Sequence, residues 1–491
     1  MKMKALIAAA ALALATSVAH AARTDLVLGV VLEPPHLDPT AGAAAAIDEI
    51  VYHNVFEGLT RIGPSGEVLP ALAEKWDISE DGKVYTFHLH TGVKFHDGTD
   101  FNADDVKFSL DRARAADSTN AQKPLFAAID SVEVVDPATV KVTLKQPQGA
   151  FLYNMGWGDA VMVAPESADG NKEKPVGTGP FKFDNWAKGS SITIVKNPDY
   201  WGTPVALDKA EFRIIPDAAA AIPALLSGDV QAFPNMPAGD ALSQIQADPR
   251  FEVVIGATEG ETVLSTNNKK PPFDNLKVRQ AIAHALNREE IIQGASNGLG
   301  TPIGSHFSPA NAAYEDLTGT YPYDPAKSKE LLKEAGFPNG FEATLKLPPP
   351  AYARQGGEVI ASELRQVGIN LQIIPLEWAD WLDQVFKKKD YDLSIVSHTE
   401  PNDIEIYSRP DYYFQYQNPE FNKVIAELDV TSDQDKRTAL YKQAQEILAK
   451  DAVVGFLFEL PKIGVWDKNL QGMWHDSPIQ ANDLTEVKWA D

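Results

Sequence analysis

Four side chains between residues 88 and 97 carry the most visible capacity for chemistry. His88 and His90 alternate along one extended stretch, with His96 and Asp97 just beyond, and imidazoles beside a carboxylate suit nickel or zinc. Side chains on the outer face of one strand need no more than the two-residue period of an extended chain, so this simpler reading is preferred and no metal is expected. Gly177-Thr178-Gly179-Pro180-Phe181 has the look of a phosphate loop but lacks the Gly-Lys-Ser/Thr ending that supplies the lysine and the magnesium ligand. It reads as a turn fixed by backbone glycines. Gly298-Leu299-Gly300-Thr301-Pro302-Ile303-Gly304 has the wrong spacing for a dinucleotide site. No Gly-x-Ser-x-Gly elbow or His-Glu-x-x-His helix occurs, and nothing places two of the many carboxylates across a scissile bond. The expectation is a binding protein rather than an enzyme.

The 491 residues include no cysteine, which excludes disulfides, thiolate nucleophiles, cysteine-rich zinc sites and a cysteine-borne lipid anchor. Lys2 and Lys4 precede the apolar run Ala5 to Val18, and Ala19-His20-Ala21 has the small-x-small pattern of a signal-peptidase site. Residues 1–21 are therefore expected to be a cleaved secretion signal, placing the protein in the periplasm. The formal charge of -24 becomes -26 without the two lysines. That balance argues against nucleic acid and against anionic lipid as partners. No segment is apolar for the ~20 residues a membrane span requires. About 470 mature residues exceed what one core usually serves, so two or three lobes are expected.

Leu26 to Leu32 reads as a buried strand ended by Pro34 and Pro35. Tyr85, Phe87 and Leu89 alternate with polar residues, as do Val140, Val142 and Leu144, and Ile192 to Val195 is a further strand. Asn102 caps a helix whose first turn carries Asp104 and Asp105, with Phe101 placed to staple onto Val106. Val278, Ala281, Ile282 and Ala285 fall at helical spacing after Asn275, while Asp324, Pro325 and Gly336 bracket another helix. Ile360, Leu364 and Val367 form one helical face, and Leu440, Ala444, Ile447 and Leu448 a second. Strands and helices alternate throughout, which predicts a mixed α/β architecture. The absence of long linkers suggests lobes joined by strands that cross more than once, which would make a hinge.

The run Pro70-Ala71-Leu72-Ala73-Glu74-Lys75-Trp76, Ser79 to Gly82, Gly92-Val93-Lys94-Phe95-His96-Asp97-Gly98 and Ala103 to Val106 resembles the extracellular solute-binding proteins of family 5, which serve peptide and nickel ATP-binding-cassette importers. The likeness continues through Gly177 to Phe181, Asn197-Pro198-Asp199-Tyr200-Trp201-Gly202, Val278 to Ile282, and Tyr323 to Pro325 with Leu331 to Phe337. It implies a pear-shaped α/β protein with two lobes, an additional subdomain and a hinge between the lobes. By analogy, residues 22–60, 180–262 and 465–491 form the first lobe, 61–179 the subdomain and 263–464 the second lobe. The resemblance further implies a monomer without cofactors that captures a peptide-like solute and hands it to an inner-membrane ATP-binding-cassette permease.

Site residues follow from the same resemblance. Arg354, near Tyr352 at the start of a helix, matches an arginine that holds a ligand's terminal carboxylate, a task suited to its planar two-pronged donor. Asp403 stands where peptide binders keep an acidic residue for the ligand's amino group, with Glu400 the second choice and Arg409 a further candidate. His398, Thr399 and Glu400 depart from the family's usual Asp-Pro loop, which leaves open an opine or other amino-acid conjugate, a sugar conjugate or a nickel chelate as solute. Thr266 and Asn267 are placed at the expected hinge crossing, and Trp157 and Trp378 are candidates to wall the pocket.

Overall fold

The structure is a computed structural model that describes residues 23–42, 44–237, 242–309, 311–399 and 403–490. The expected secretion signal and Glu400 lie outside the described residues. Three main sheets organise the chain. The first has seven strands in the order Phe251–Gly256, Lys462–Asp467, Ala232–Phe233, Asp25–Val30, Lys209–Ile214, Ser191–Lys196, Phe181–Ala187. Its centre is parallel, with Leu28 opposite Phe212, while its outer pairs are antiparallel. The second has six strands in the order Thr301–Pro302, Gly455–Glu459, Glu261–Thr266, Leu393–His398, Phe341–Leu347, Ile369–Pro375. A four-stranded antiparallel sheet, Ala73–Ile78, Val84–Leu89, Thr139–Leu144 and Ile129–Asp136, builds the subdomain.

Each of the three main sheets has its own apolar core. Leu28, Ile47, Phe56, Phe181 and Phe212 pack in the first lobe. Tyr85, Phe87, Val106, Val140 and Phe151 pack in the subdomain. The second sheet has apolar packing in two clusters, around Val263, Tyr413 and Phe421 in one and around Leu264, Ile282 and Ile360 in the other. Val161, Val163 and Ala168, expected with the subdomain, pack instead into the first lobe's core. Alternation on Glu261–Thr266 explains how one strand serves two clusters, since Val263 and Leu264 point to opposite sides.

Local signals are realised where chain-local chemistry decides them. Asn102 caps the helix Ala103–Arg114, accepting from the Asp104 N–H, and the Asp105 carboxylate returns to the Asn102 N–H at 2.9 Å. The first strand stops at Val30, and Leu32 is exposed, because the prolines that follow cannot donate to a ladder. The glycines at 177 and 179 serve close approach rather than an unusual turn. A Cβ on Gly177 would lie 2.0 Å from the carbonyl oxygen of Val55, and one on Gly179 would lie 2.6 Å from that of Asn54.

The chain passes from the first sheet to the second between Gly256 and Glu261 and returns between Glu459 and Lys462. The lobe limits expected at 262/263 and 464/465 lie a few residues beyond these two crossings. Among the described residues, no helix is long and apolar enough to cross a membrane.

Candidate functional site at the hinge

The crossings bring a row of titratable side chains to the end of the second sheet. Glu261 is paired across the ladder with Glu459 on one side and His398 on the other. Directly opposed cross-strand residues share a sheet face, so three ionisable groups stand side by side with Glu261 central. All three are buried. His306 is laid against this row: its Nδ1 is 3.1 Å from Glu261 Oε1 and its Nε2 is 2.8 Å from Asp403 Oδ1. One imidazole therefore stands between two carboxylates from distant parts of the chain. Glu261, His306 and Asp403 offer donor atoms within 4.8 Å of one another, a set chemically able to hold a metal ion.

Burial dominates the electrostatics here. It pushes the Glu459 carboxyl up to about 8 despite the Thr258 N–H it accepts, and the negative charges of Glu259 and Asp476 add to the effect. Glu259, on the first crossing, is pushed by burial up to about 7, with Asp403 contributing further and Asn311 opposing. Burial likewise drives His398 down to about 4, against the pull of Asp403. The neutral imidazole that results meets the hydroxyl of Tyr413 at 3.1 Å, and that hydroxyl also meets Ser265 Oγ at 2.9 Å. The rings of Tyr412, Tyr413 and Phe414 pack around the His398 imidazole, and Tyr407 stacks on Phe414, tying down the loop after Asp403.

These shifts set a pH dependence. A carboxyl raised above its ordinary range binds its proton more tightly folded than unfolded, so its contribution is fully present below about pH 4.5 and is lost as pH rises through about 8. Glu459→Gln removes that loss while keeping an oxygen for Thr258. Between pH 5 and pH 8.5 the ligand-free variant should gain about 4 kcal/mol on wild type, read from urea midpoints. A stability difference that is the same at both pH values would show that the carboxyl is not raised by burial.

The residues expected from sequence fall into three groups. Asp403 and His398 join the hinge row, Asp403 being only 12% exposed. Arg354 sits in the first turn of the helix Ala351–Gln366, where Nη2 donates to Leu376 O at 3.2 Å and Glu377 Oε1 at 3.3 Å while its buried Nε has no hydrogen-bond partner among the described residues. Trp378 follows directly, 42% exposed and edge-on to Trp381. Tyr352 ties this helix start to the row by accepting the Ser397 N–H at 3.1 Å.

The other residues singled out lie away from this row. Thr266 and Asn267 stand at the far end of their strand, some ~17 Å from Glu261 at about 3.3 Å per residue, so they are not at the crossing. Both are buried, and Asn267 gives its amide to Lys389 O and Tyr391 O and accepts from Gln415. Arg409 is exposed and paired with Glu405 at 2.7 Å. Trp157 lies edge-on to Tyr153 with its buried Nε1 unpartnered among the described residues, at the start of a turn whose Asp159 and Ala160 line a cavity of about 180 Å³ with Ser109 and Arg112. The histidines at 88, 90 and 96 are not gathered: His88 meets Asp77, His90 packs on Trp201, and His96 meets Gly179 O.

Sequence reading missed Glu259, Glu261, His306 and Glu459. The available signal was a glutamate opening the otherwise apolar or hydroxyl-bearing strand Glu261–Thr266, a residue type disfavoured inside a sheet unless something requires it.

The model of a family described as bacterial extracellular solute-binding proteins, family 5 (middle), matches residues 67–423. The glutathione-binding protein GsiB of Salmonella typhimurium is 32% identical over 492 residues, 95% of each chain. The dipeptide-binding protein of Escherichia coli is 33% identical over 438 residues, 79% of this chain and 80% of that one. Among solved structures, the periplasmic binding protein DppA of Helicobacter pylori, associated with an ABC transporter and in complex with the peptide STSA, is 29% identical. It superposes with a TM-score of 0.76, covering 96% of this chain and 99% of that one.

Proposed function

Because the chain belongs to the bacterial extracellular solute-binding proteins of family 5, we propose that it captures a peptide-like solute between its two lobes in the periplasm and delivers it to an inner-membrane ABC permease. It binds without turnover. The observation that carries this reading is the position of Asp403, a carboxylate on the second lobe beside the strand crossings, with Arg354 on the helix tied to the same strand end. A zwitterion presents an ammonium to the first and a carboxylate to the second. Contacts made to both lobes favour the closed arrangement, and the hinge lets the protein reach it.

Mass spectrometry of the native, undialysed protein tests the solute class, and calorimetry with dipeptides tests affinity. A bound dipeptide should also reduce the radius of gyration in small-angle scattering without altering the circular dichroism of the backbone. An unchanged radius at saturation would contradict closure, and a chemically altered solute would contradict binding without turnover.

A further inference from the structure

The two crossings gather more carboxyl groups than the described residues pair with cations. Glu259 stands on the first crossing, Glu459 leads into the second, and Glu261 and Asp403 lie between, with His306 facing only the latter two. Neither Glu259 nor Glu459 has a lysine, arginine or histidine in ion-pair contact among the described residues. Glu459 is 1% exposed; Thr258 and Ser308 hydrogen-bond to its carboxyl, and its Oε2 has no hydrogen-bond partner among the described residues. Glu259 receives the Asn311 amide at a long 3.5 Å. Lys462, the cation on the second crossing, donates to the carbonyls of Trp474 and Asp476 instead.

A buried carboxyl without a counter-charge is costly to ionise and keeps its proton, so a ligand that brings a cation to such a group makes ionisation favourable and gains an ion pair. A metal ion fits less well than an organic cation. Both nitrogens of His306 face carboxylates, so no ring lone pair is turned to open space, and a metal at Asp403 would leave Glu459 as it is. We infer that the hinge carboxylates Glu259 and Glu459 form a subsite for a second cationic group of the solute, so that the protein selects amino compounds with a basic side chain on the residue bearing the amino end. This inference rests on the peptide-like reading above and extends it: Asp403 takes the amino group, and the hinge takes the basic side chain.

The test is calorimetry with Lys-Ala, its neutral near-isostere norleucyl-alanine, and Ala-Ala, at low salt so that screening does not mask the charge. Lys-Ala should bind at least about tenfold more tightly than norleucyl-alanine, and Glu259→Gln should reduce that ratio below about threefold. The comparison of the two peptides on wild type stands even where the variant fails to fold. Equal affinities for Lys-Ala and norleucyl-alanine would overturn the subsite and leave the peptide reading intact. If neither dipeptide binds but putrescine does, with an affinity that Glu259→Gln weakens, the subsite holds and the peptide reading falls. Binding of none of these overturns both. Stoichiometric uptake of Ni²⁺ alone, with no preference for Lys-Ala, would assign the charge to a metal at His306 and overturn the proposal.

Discussion

Asp403→Asn should weaken the binding of a zwitterionic dipeptide at least roughly thirtyfold, because truncating one partner of a buried charge pair costs ~2 to 5 kcal/mol. The local geometry makes this a demanding test. One oxygen of Asp403 already meets His306 Nε2 at 2.8 Å, so the solute's ammonium must use the second oxygen or share the first. A carboxylate has about four acceptor positions and can serve both partners, whereas the asparagine amide offers one oxygen and must turn its NH2 donors toward either the imidazole or the ammonium. Arg354→Lys should lose a comparable factor although charge is retained. The guanidinium already gives Nη2 to Leu376 O and Glu377, and its Nε has no partner among the described residues, so it keeps donors beyond those contacts that a lysine ammonium cannot reproduce in a planar pair. Acetylating the ligand's amino end should weaken wild type strongly and Asp403→Asn far less, since the contact is already gone. Both variants binding as wild type does would reject these two anchors and move the test to Glu400 and Arg409.

What the sequence could disclose divides by the distance over which the physics acts. The capping box at Asn102 and Asp105 and the alternation of Tyr85, Phe87 and Leu89 depend on neighbours a few residues away, and each was legible. The family blocks were legible because they are contiguous. The hinge row as an assembly was not: His398 and Asp403 stand out singly, but Glu261, His306 and Glu459 come from separated segments joined to them only by strand pairing and loop packing. Their individual residue types say nothing of the register that aligns them. Thr266 illustrates the same limit in reverse: an error of a few residues in locating the crossing moved the expected contact to the wrong end of a strand. Glycines at 177 and 179 were seen, but the reason for them, the approach of the 54–55 backbone, is a tertiary fact.

The C-terminal return of the chain supplies the second large effect. Residues 482–485 lock onto the segment 49–54 of the first lobe. Asn54 donates to Asn482 O at 2.8 Å and accepts the Leu484 N–H at 3.0 Å, while Asn482 donates to Glu49 O. At the centre, His53, held in the left-handed region at φ 58°, meets Asp483 Oδ2 at 3.0 Å, and both are almost wholly buried. Burial by itself would raise the Asp483 carboxyl, but the bonds from His53 and from the N–H and hydroxyl of Thr485 outweigh it and hold it down to about 2. Burial lowers the proton affinity of His53 more than Asp483 raises it. The two Thr485 donors therefore matter, since they support the carboxylate whether or not the imidazole is charged. Asp483→Ala strands these donors and the histidine together, and should cost about 3 to 5 kcal/mol in urea unfolding. The depressed carboxyl also fixes the direction of the acid response. Its contribution is fully present above about pH 4, the ordinary range of an aspartate, and is lost as pH falls through about 2, amounting to about 2 kcal/mol. Wild type should lose that increment between those limits and Asp483→Ala should not. A destabilisation below about 1 kcal/mol, or an acid limb unchanged by the substitution, would mean that the C-terminal return is held by its backbone bonds alone.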